Sequence, residues 1–293
     1  MKEEIFDNDF LKRLEAIKQM LKKVLMAGTA GERVSRQKGG RVEFLDHRGY
    51  SAGDETRYID WNLFGRTEKL YVKEFASEQS RPVYVLVDNS ESMRDKSVYA
   101  KQLAVVMGYA GLVLGGDVKF GLFPGSDGRI ILSTVFRADK DLSKLLGFVG
   151  KQPAAGRTDI GSALSQMDKS LVRKGLLILV SDLLEDDSRS AHDALIRFIK
   201  RGFQVNVMHV ISEPEANPAF GGRAVLHDAE TGESRLIKMD KSVKDAYQKR
   251  LAGYSDEWKS FSHQHDIQYF YVRTSTPLED IVVNFLKAGG LLR

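Results

Sequence analysis

The chain of 293 residues is 42% hydrophobic and 29% charged, an ordinary globular mix with length for one large core or two small ones. It contains no cysteine, which excludes disulfides, thiolate catalysis and cysteine zinc sites. The net charge of +4 is too mild to argue for nucleic acid, and no run approaches the ~18 apolar residues a membrane span needs.

The start, "MKEEIFDNDFLKRLEAIKQMLKKVL", has acids where a signal peptide is basic, so a cytoplasmic location is expected. Phe10, Leu14, Ile17, Leu21, Val24 and Leu25 fall at helical spacing. They predict an amphipathic helix of about five turns, ended by Gly28, as a segment over 1–30. Its Lys/Arg-rich face reads as solvated surface. Nucleic-acid binding through this helix is an alternative, but no aromatics are interleaved there for base stacking.

Residues 31–80 are turn-rich and predict a loop-rich, short-strand subdomain, with extended pieces around Val42, Phe44 and Tyr71 to Phe75. Arg48, Asp54, Arg57, Asp60 and Arg66 alternate in sign, which suggests ion pairs holding loops together, or else a docking surface.

From residue 81 to 293 the text alternates strand and helix. Strands are predicted at "PVYVLVD", "DVKFGLF", "GRIILSTVF", "GLLILVSD", "FQVNVMHV" and "IQYFYVR". Helices are predicted at Ser97–Leu114, Lys140–Val149, Ile160–Val172, Ser190–Lys200, Ser242–Gln264 and Pro277–Leu286. Nearly continuous apolar strands between amphipathic helices imply an α/β fold with a mostly parallel sheet covered on both faces. Thr231-Gly232, between two alternating runs at about 220–240, predicts a β-hairpin added at an edge.

In such a sheet, ligands bind beyond the carboxyl ends of the strands. The first apolar run ends in Asp88-Asn89-Ser90-Glu91-Ser92 and the later run "GLLILVS" in Asp182, while "AAGRTDIGSAL" puts Thr158 in a loop opening a helix. If these loops share one edge, Asp88, Ser90, Ser92, Thr158 and Asp182 converge. Five hard oxygen groups without imidazole or thiolate suit Mg²⁺, Mn²⁺ or Ca²⁺. Two carboxylates and three hydroxyls leave coordination sites for water and one outside ligand, such as a partner's carboxylate. The plainer readings are helix caps. Ser92 with Asp95 resembles a capping box, Thr158 is a plausible N-cap, and Asp182, Glu185, Asp186 and Asp187 suit a helix N-terminus. An enzymatic alternative is a metal-dependent phosphohydrolase with Asp88 as nucleophile. Ser90 stands where such enzymes carry a general acid, so no catalytic set is visible.

The five residues resemble the metal-ion-dependent adhesion site of von Willebrand factor A domains, whose D-x-S-x-S, Thr and Asp loops bind Mg²⁺ and a partner's acidic side chain. The upstream text resembles a narrower bacterial family, the domain of unknown function 58, whose members are von Willebrand A-like partners of MoxR-type AAA+ ATPases. Arg48-Gly49-Tyr50, Gly53-Asp54, Arg57-Tyr58-Ile59-Asp60-Trp61, Gly65-Arg66 and Asp88–Ser92 carry that resemblance, which covers Arg33 to Ser275. Gly49 departs from the family's usual Glu. The resemblance implies a von Willebrand A-like domain over 81–293 and a non-enzymatic adaptor, working with a MoxR-type ATPase or its client in assembly or chaperone-like tasks.

Overall fold

The computed structural model describes residues 5–35, 44–50, 59–75, 81–124, 128–152, 154, 156–185, 187–218, 223–227, 234–238 and 241–289. It divides into two compact units, Met1–Lys22 with Arg81–Arg293, and Lys23–Ser80.

Helix α1 (Asn8–Ser35) buries Phe10, Leu14, Ile17 and Leu21. It continues past Gly28, contrary to the expected stop. One glycine costs a helix only about 1 kcal/mol relative to alanine, too little to end it alone.

In the Lys23–Ser80 unit, β1 (Phe44–Gly49) and β2 (Tyr71–Phe75) pair antiparallel. Between them the turn-rich text hides a short helix, α2 (Trp61–Thr67). Asp60 caps it, accepting from the Asn62 and Leu63 N–H groups at 3.0 and 3.1 Å. Val42, Asp54, Arg57 and the Arg48 side chain lie outside the described residues.

The larger unit is built on a six-stranded sheet. Its chain order runs β3 (Val83–Asp88), α3 (Ser97–Val113), β4 (Val118–Phe123), β5 (Ile131–Leu132), α4 (Leu142–Gly150) and α5 (Ile160–Asp168). It continues through β6 (Leu176–Ser181), α6 (Arg189–Lys200), β7 (Gln204–Ile211), α7 (Glu213–Ala216), β8 (Arg223–His227) and β9 (Ser234–Lys238). The last described elements are α8 (Lys241–Gln264), β10 (Gln268–Arg273) and α9 (Leu278–Lys287). Strand order is β10-β7-β6-β3-β4-β5, parallel throughout except for β5.

Strand β3 is buried at all six positions, as a strand covered on both faces must be. Val83, Val85 and Val87 face one core with residues of α1, α3, α4 and α9. Tyr84 and Leu86 face the other, with α5, α6 and α8. Each such side chain contributes about 1.5–3 kcal/mol by leaving water.

Two edges of the fold differ from expectation. Strands β8 and β9 do pair antiparallel, but as a separate two-stranded sheet, while β10 and β5 hold the edges of the main sheet. The Thr231-Gly232 turn lies outside the described residues. Helix α5 ends at Asp168, short of Val172. The Ser170 and Leu171 N–H groups donate to the Met167 and Asp168 carbonyls at 2.8 and 3.1 Å, tightening the chain into a turn that leaves Val172 exposed.

The chain leaves β3 towards β4 on one side and later leaves β6 towards β7 on the other, so the neighbours β3 and β6 flank the point where the strand order reverses. That crevice is where open α/β sheets receive ligands.

Candidate functional site

Asp88 is the last residue of β3 and Ser181 the last of β6. Side chains alternate along a strand, so Asp88 follows the side of Leu86 and Ser181 the side of Leu179, both towards the second core. Parallel neighbours in register then meet: the Ser181 hydroxyl donates to Asp88 Oδ2 at 2.6 Å. The other oxygen, Oδ1, accepts the Ser90 N–H at 2.9 Å. One residue beyond Ser181, alternation sends Asp182 the opposite way, to the α3 side of the sheet. There its Oδ2 pairs with the Lys96 ammonium at 2.9 Å, while Oδ1 accepts the Leu184 N–H at 3.0 Å.

The turn after Asp182 is held tightly. Leu183 is fully buried with a left-handed φ of 61°, a strained backbone for a leucine. Its N–H donates to Ser181 Oγ at 2.8 Å and its carbonyl accepts the Tyr254 hydroxyl. Those two bonds hold the strained turn and fix where Asp182 points.

The hydroxyls come from the first loop. Ser90 Oγ and Ser92 Oγ lie 3.0 Å apart. That distance is a hydrogen bond between the two hydroxyls, which holds them side by side at the mouth of the first loop. Ser90 precedes a 3-10 turn over Glu91–Lys96 but makes no side-chain cap bond, and Ser92 turns to Ser90 instead of forming the capping box its spacing with Asp95 suggested.

Thr158 lies between two staples. The Glu91 N–H donates to the Gly156 carbonyl at 3.0 Å, tying this loop to the first. The Ile160 N–H donates to Glu185 Oε2 at 3.2 Å, tying it to the loop after β6. Thr158 Oγ1 is buried between them. The N-cap of α5 is Asp159, which accepts the Ser162 N–H at 2.8 Å, and not Thr158. Asp182 stands seven positions before α6 begins at Arg189, too far to serve as its cap. The capping readings fail at Ser92, Thr158 and Asp182 but hold at Asp187, which accepts the first N–H of α6, from Arg189, at 3.0 Å, and at Glu185, which accepts the first N–H of α5. The structure brings the three loops carrying Asp88, Ser90, Ser92, Thr158 and Asp182 to one edge.

The electrostatics are those of an acidic crevice. Burial, with the Asp182 charge beside it, pushes the Asp88 carboxyl up to about 7, against the pull of the Ser181 and Ser90 bonds. Burial likewise pushes Glu185 up to about 7, with Asp159, Asp88 and Asp187 adding to it against the Ile160 bond. For Lys96, burial by itself lowers the ammonium, but Asp182 and Glu215 outweigh it and hold the group above its ordinary value. His209, one strand over, is pushed down to about 4 by burial and then by the Lys96 charge.

Hard oxygens, two of them carboxylates, fit a divalent cation of the Mg²⁺ class by chemistry. Among the described residues, no group of three or more His, Cys, Asp or Glu side chains is placed to hold a metal.

A family model described as "Protein of unknown function DUF58" matches residues 46–255. The chain belongs to the DUF58 family. This DUF58 chain is 22% identical over 252 residues to uncharacterized proteins of Mycobacterium bovis and Mycobacterium tuberculosis, covering 83% of this chain and 77% of each relative. Among solved structures it is similar to the conserved hypothetical protein BatB from Bacteroides thetaiotaomicron, at 16% identity and TM-score 0.42. It is similar as well to an aerotolerance-related membrane protein from Bacteroides fragilis, at 16% identity and TM-score 0.45. Each match covers 71% of this chain and 98% of the solved one.

The residues that sequence reasoning missed are Ser181, Lys96 and Glu215, while Glu185, read as an acid at a helix N-terminus, is one, at the start of α5. Ser181 carried a weak signal, a hydroxyl closing an apolar strand. Lys96 and Glu215 carried none, because 119 positions separate them.

Proposed function

We propose that this DUF58 protein is a non-enzymatic adaptor with a von Willebrand A-like domain, cytoplasmic in location. It holds a divalent cation, Mg²⁺ or alternatively Mn²⁺ or Ca²⁺, through Asp88, Ser90, Ser92, Thr158 and Asp182. A partner's acidic side chain takes the remaining coordination position. The single observation carrying this reading is the stapling of three loops, two at strand ends and one between α4 and α5, through Ser181, Gly156 and Glu185. The bound ion supplies a Lewis-acidic point charge. The chain's own part is to aim the hydroxyls and limit how much negative charge surrounds them.

Resemblance to MoxR-associated proteins makes a MoxR-type AAA+ ATPase, or its client, the partner of choice. Asp88 suits ligation better than nucleophilic attack. It is buried, both of its oxygens already accept hydrogen bonds, and Ser90 occupies the place of a general acid.

The test is recovery of partners from a bacterial lysate on the intact protein and on Ser90→Ala, with and without EDTA. Recovery of an AAA+ ATPase that EDTA and Ser90→Ala both abolish supports the reading. Recovery that ignores both overturns it.

A further inference from the structure

We infer that Lys96 sets the charge of the candidate metal centre, holding the ion's affinity down so that a bound ion keeps a net positive charge for a carboxylate partner. This deepens the metal-centre reading and rests on it. Lys96 is 1% exposed, a rare state for a lysine, and its ammonium faces two carboxylates from different elements. One is Asp182 Oδ2, a proposed ligand, at 2.9 Å. The other is Glu215 of α7, at hydrogen-bonding contact.

The charge count decides what this does. Asp88 and Asp182 alone would neutralise a divalent ion and leave it no net charge with which to attract a third carboxylate. The Lys96 ammonium offsets one of those two charges. Because Glu215 shares the ammonium, the offset is partial, and a bound ion keeps a positive charge of less than one in a crevice where water screens little.

Glu215 moderates the effect. Its Oε1 meets Lys96, while its Oε2 accepts the Ser212 N–H and hydroxyl at 2.7 and 2.9 Å. That anchoring through a capping box fixes a second anion beside the ammonium and draws its charge away from Asp182. Lys96 also ends the 3-10 turn that carries Ser92, so one short segment supplies both a proposed ligand and the counter-charge.

The test is calorimetric titration of Mg²⁺ into the full chain after removal of metal, at fixed pH and ionic strength. Lys96→Met is expected to tighten Mg²⁺ binding by about tenfold or more. Glu215→Gln, which leaves the ammonium to Asp182 alone, is expected to weaken it by several-fold. A second readout is water-proton relaxation of the Mn²⁺-loaded protein, in which acetate displaces bound water. Lys96→Met should need more acetate than the unaltered chain.

Opposite shifts in the two variants are not produced by general destabilisation and support the inference. Shifts in the same direction, or none, overturn it while Mg²⁺ binding by the unaltered chain keeps the metal centre. If Lys96→Met does not fold, Lys96→Gln takes its place: shifts opposite to those of Glu215→Gln support the inference, and shifts in the same direction, or none, overturn it. If none of the folded proteins binds Mg²⁺, the metal centre itself is lost and this inference with it.

Discussion

The Ser181 hydroxyl donates a 2.6 Å hydrogen bond to Asp88 Oδ2, joining the carboxyl ends of β6 and β3 where the strand order reverses. Both residues are buried, so neither group exchanges this bond for water. The proposed metal centre is organised around that link.

Ser181→Ala removes the donor and leaves a buried carboxylate oxygen short of a partner. The expected loss is about 1–3 kcal/mol of folding free energy, read by urea denaturation. Mg²⁺ binding should weaken without disappearing, because Asp88 keeps the Ser90 N–H. An unaltered urea midpoint would count against the link.

Asp88→Asn should separate stability from binding. The substitution removes a charge that burial and Asp182 both disfavour while keeping the shape of the side chain. Without metal the variant is expected to gain about 1–2 kcal/mol, or about 2–4 °C in melting temperature. Mg²⁺ should no longer raise that melting temperature. A variant that melts lower in EDTA and still responds to Mg²⁺ would remove Asp88 from the centre.

His209 gives the protein an acid-side dependence. Its ordinary value is 6.5 and burial takes it down to about 4 in the fold, with Lys96 on the same side and Tyr269 bonded to its Nδ1. The unfolded chain therefore binds this proton first as pH falls. Stability is full above about pH 6.5 and is lost down to about pH 4, by about 3 kcal/mol in total. Between pH 7.5 and 5, His209→Asn should lose about 2 kcal/mol less than the unaltered chain in urea titrations. Equal losses would show that His209 is not the titrating group.

Gly161 marks a close approach between α5 and α6. A Cβ there would stand 1.9 Å from Ser190 Oγ and 2.8 Å from the Ser190 backbone carbon. Gly161→Ala should force the helices apart at the loop bearing Thr158, costing about 1–3 kcal/mol in denaturant titrations. Adding Ser190→Gly should recover part of the loss and not all, since the backbone carbon remains. A neutral Gly161→Ala would mean the helices separate freely.

Much of the α/β unit was legible in the text. Strand β3 was expected at Pro82–Asp88 and runs Val83–Asp88. Helix α3 was expected at Ser97–Leu114 and runs Ser97–Val113. A strand buried on both faces writes itself as an uninterrupted apolar run, and a helix as a 3.6-residue period, so both signals are local. Helix α2 was illegible because its stability comes from the Asp60 cap and its setting, not from an apolar period. The end of α1 was misread because Gly28 is a weak stop.

The site was half legible for the same reason. Sequence fixes which side chains close each strand, and so Asp88, Ser90, Ser92 and Asp182 were identifiable as strand-end oxygens from order alone. Tertiary structure decided which of them meet, which are caps, and what faces them. Only the pairing of β3 with β6 brings Ser181 to Asp88, and only the crossing of three segments buries Lys96 between Asp182 and Glu215. Alternation and hydrophobicity are properties of neighbouring residues, whereas the free energy of a buried charge depends on groups scores of positions away.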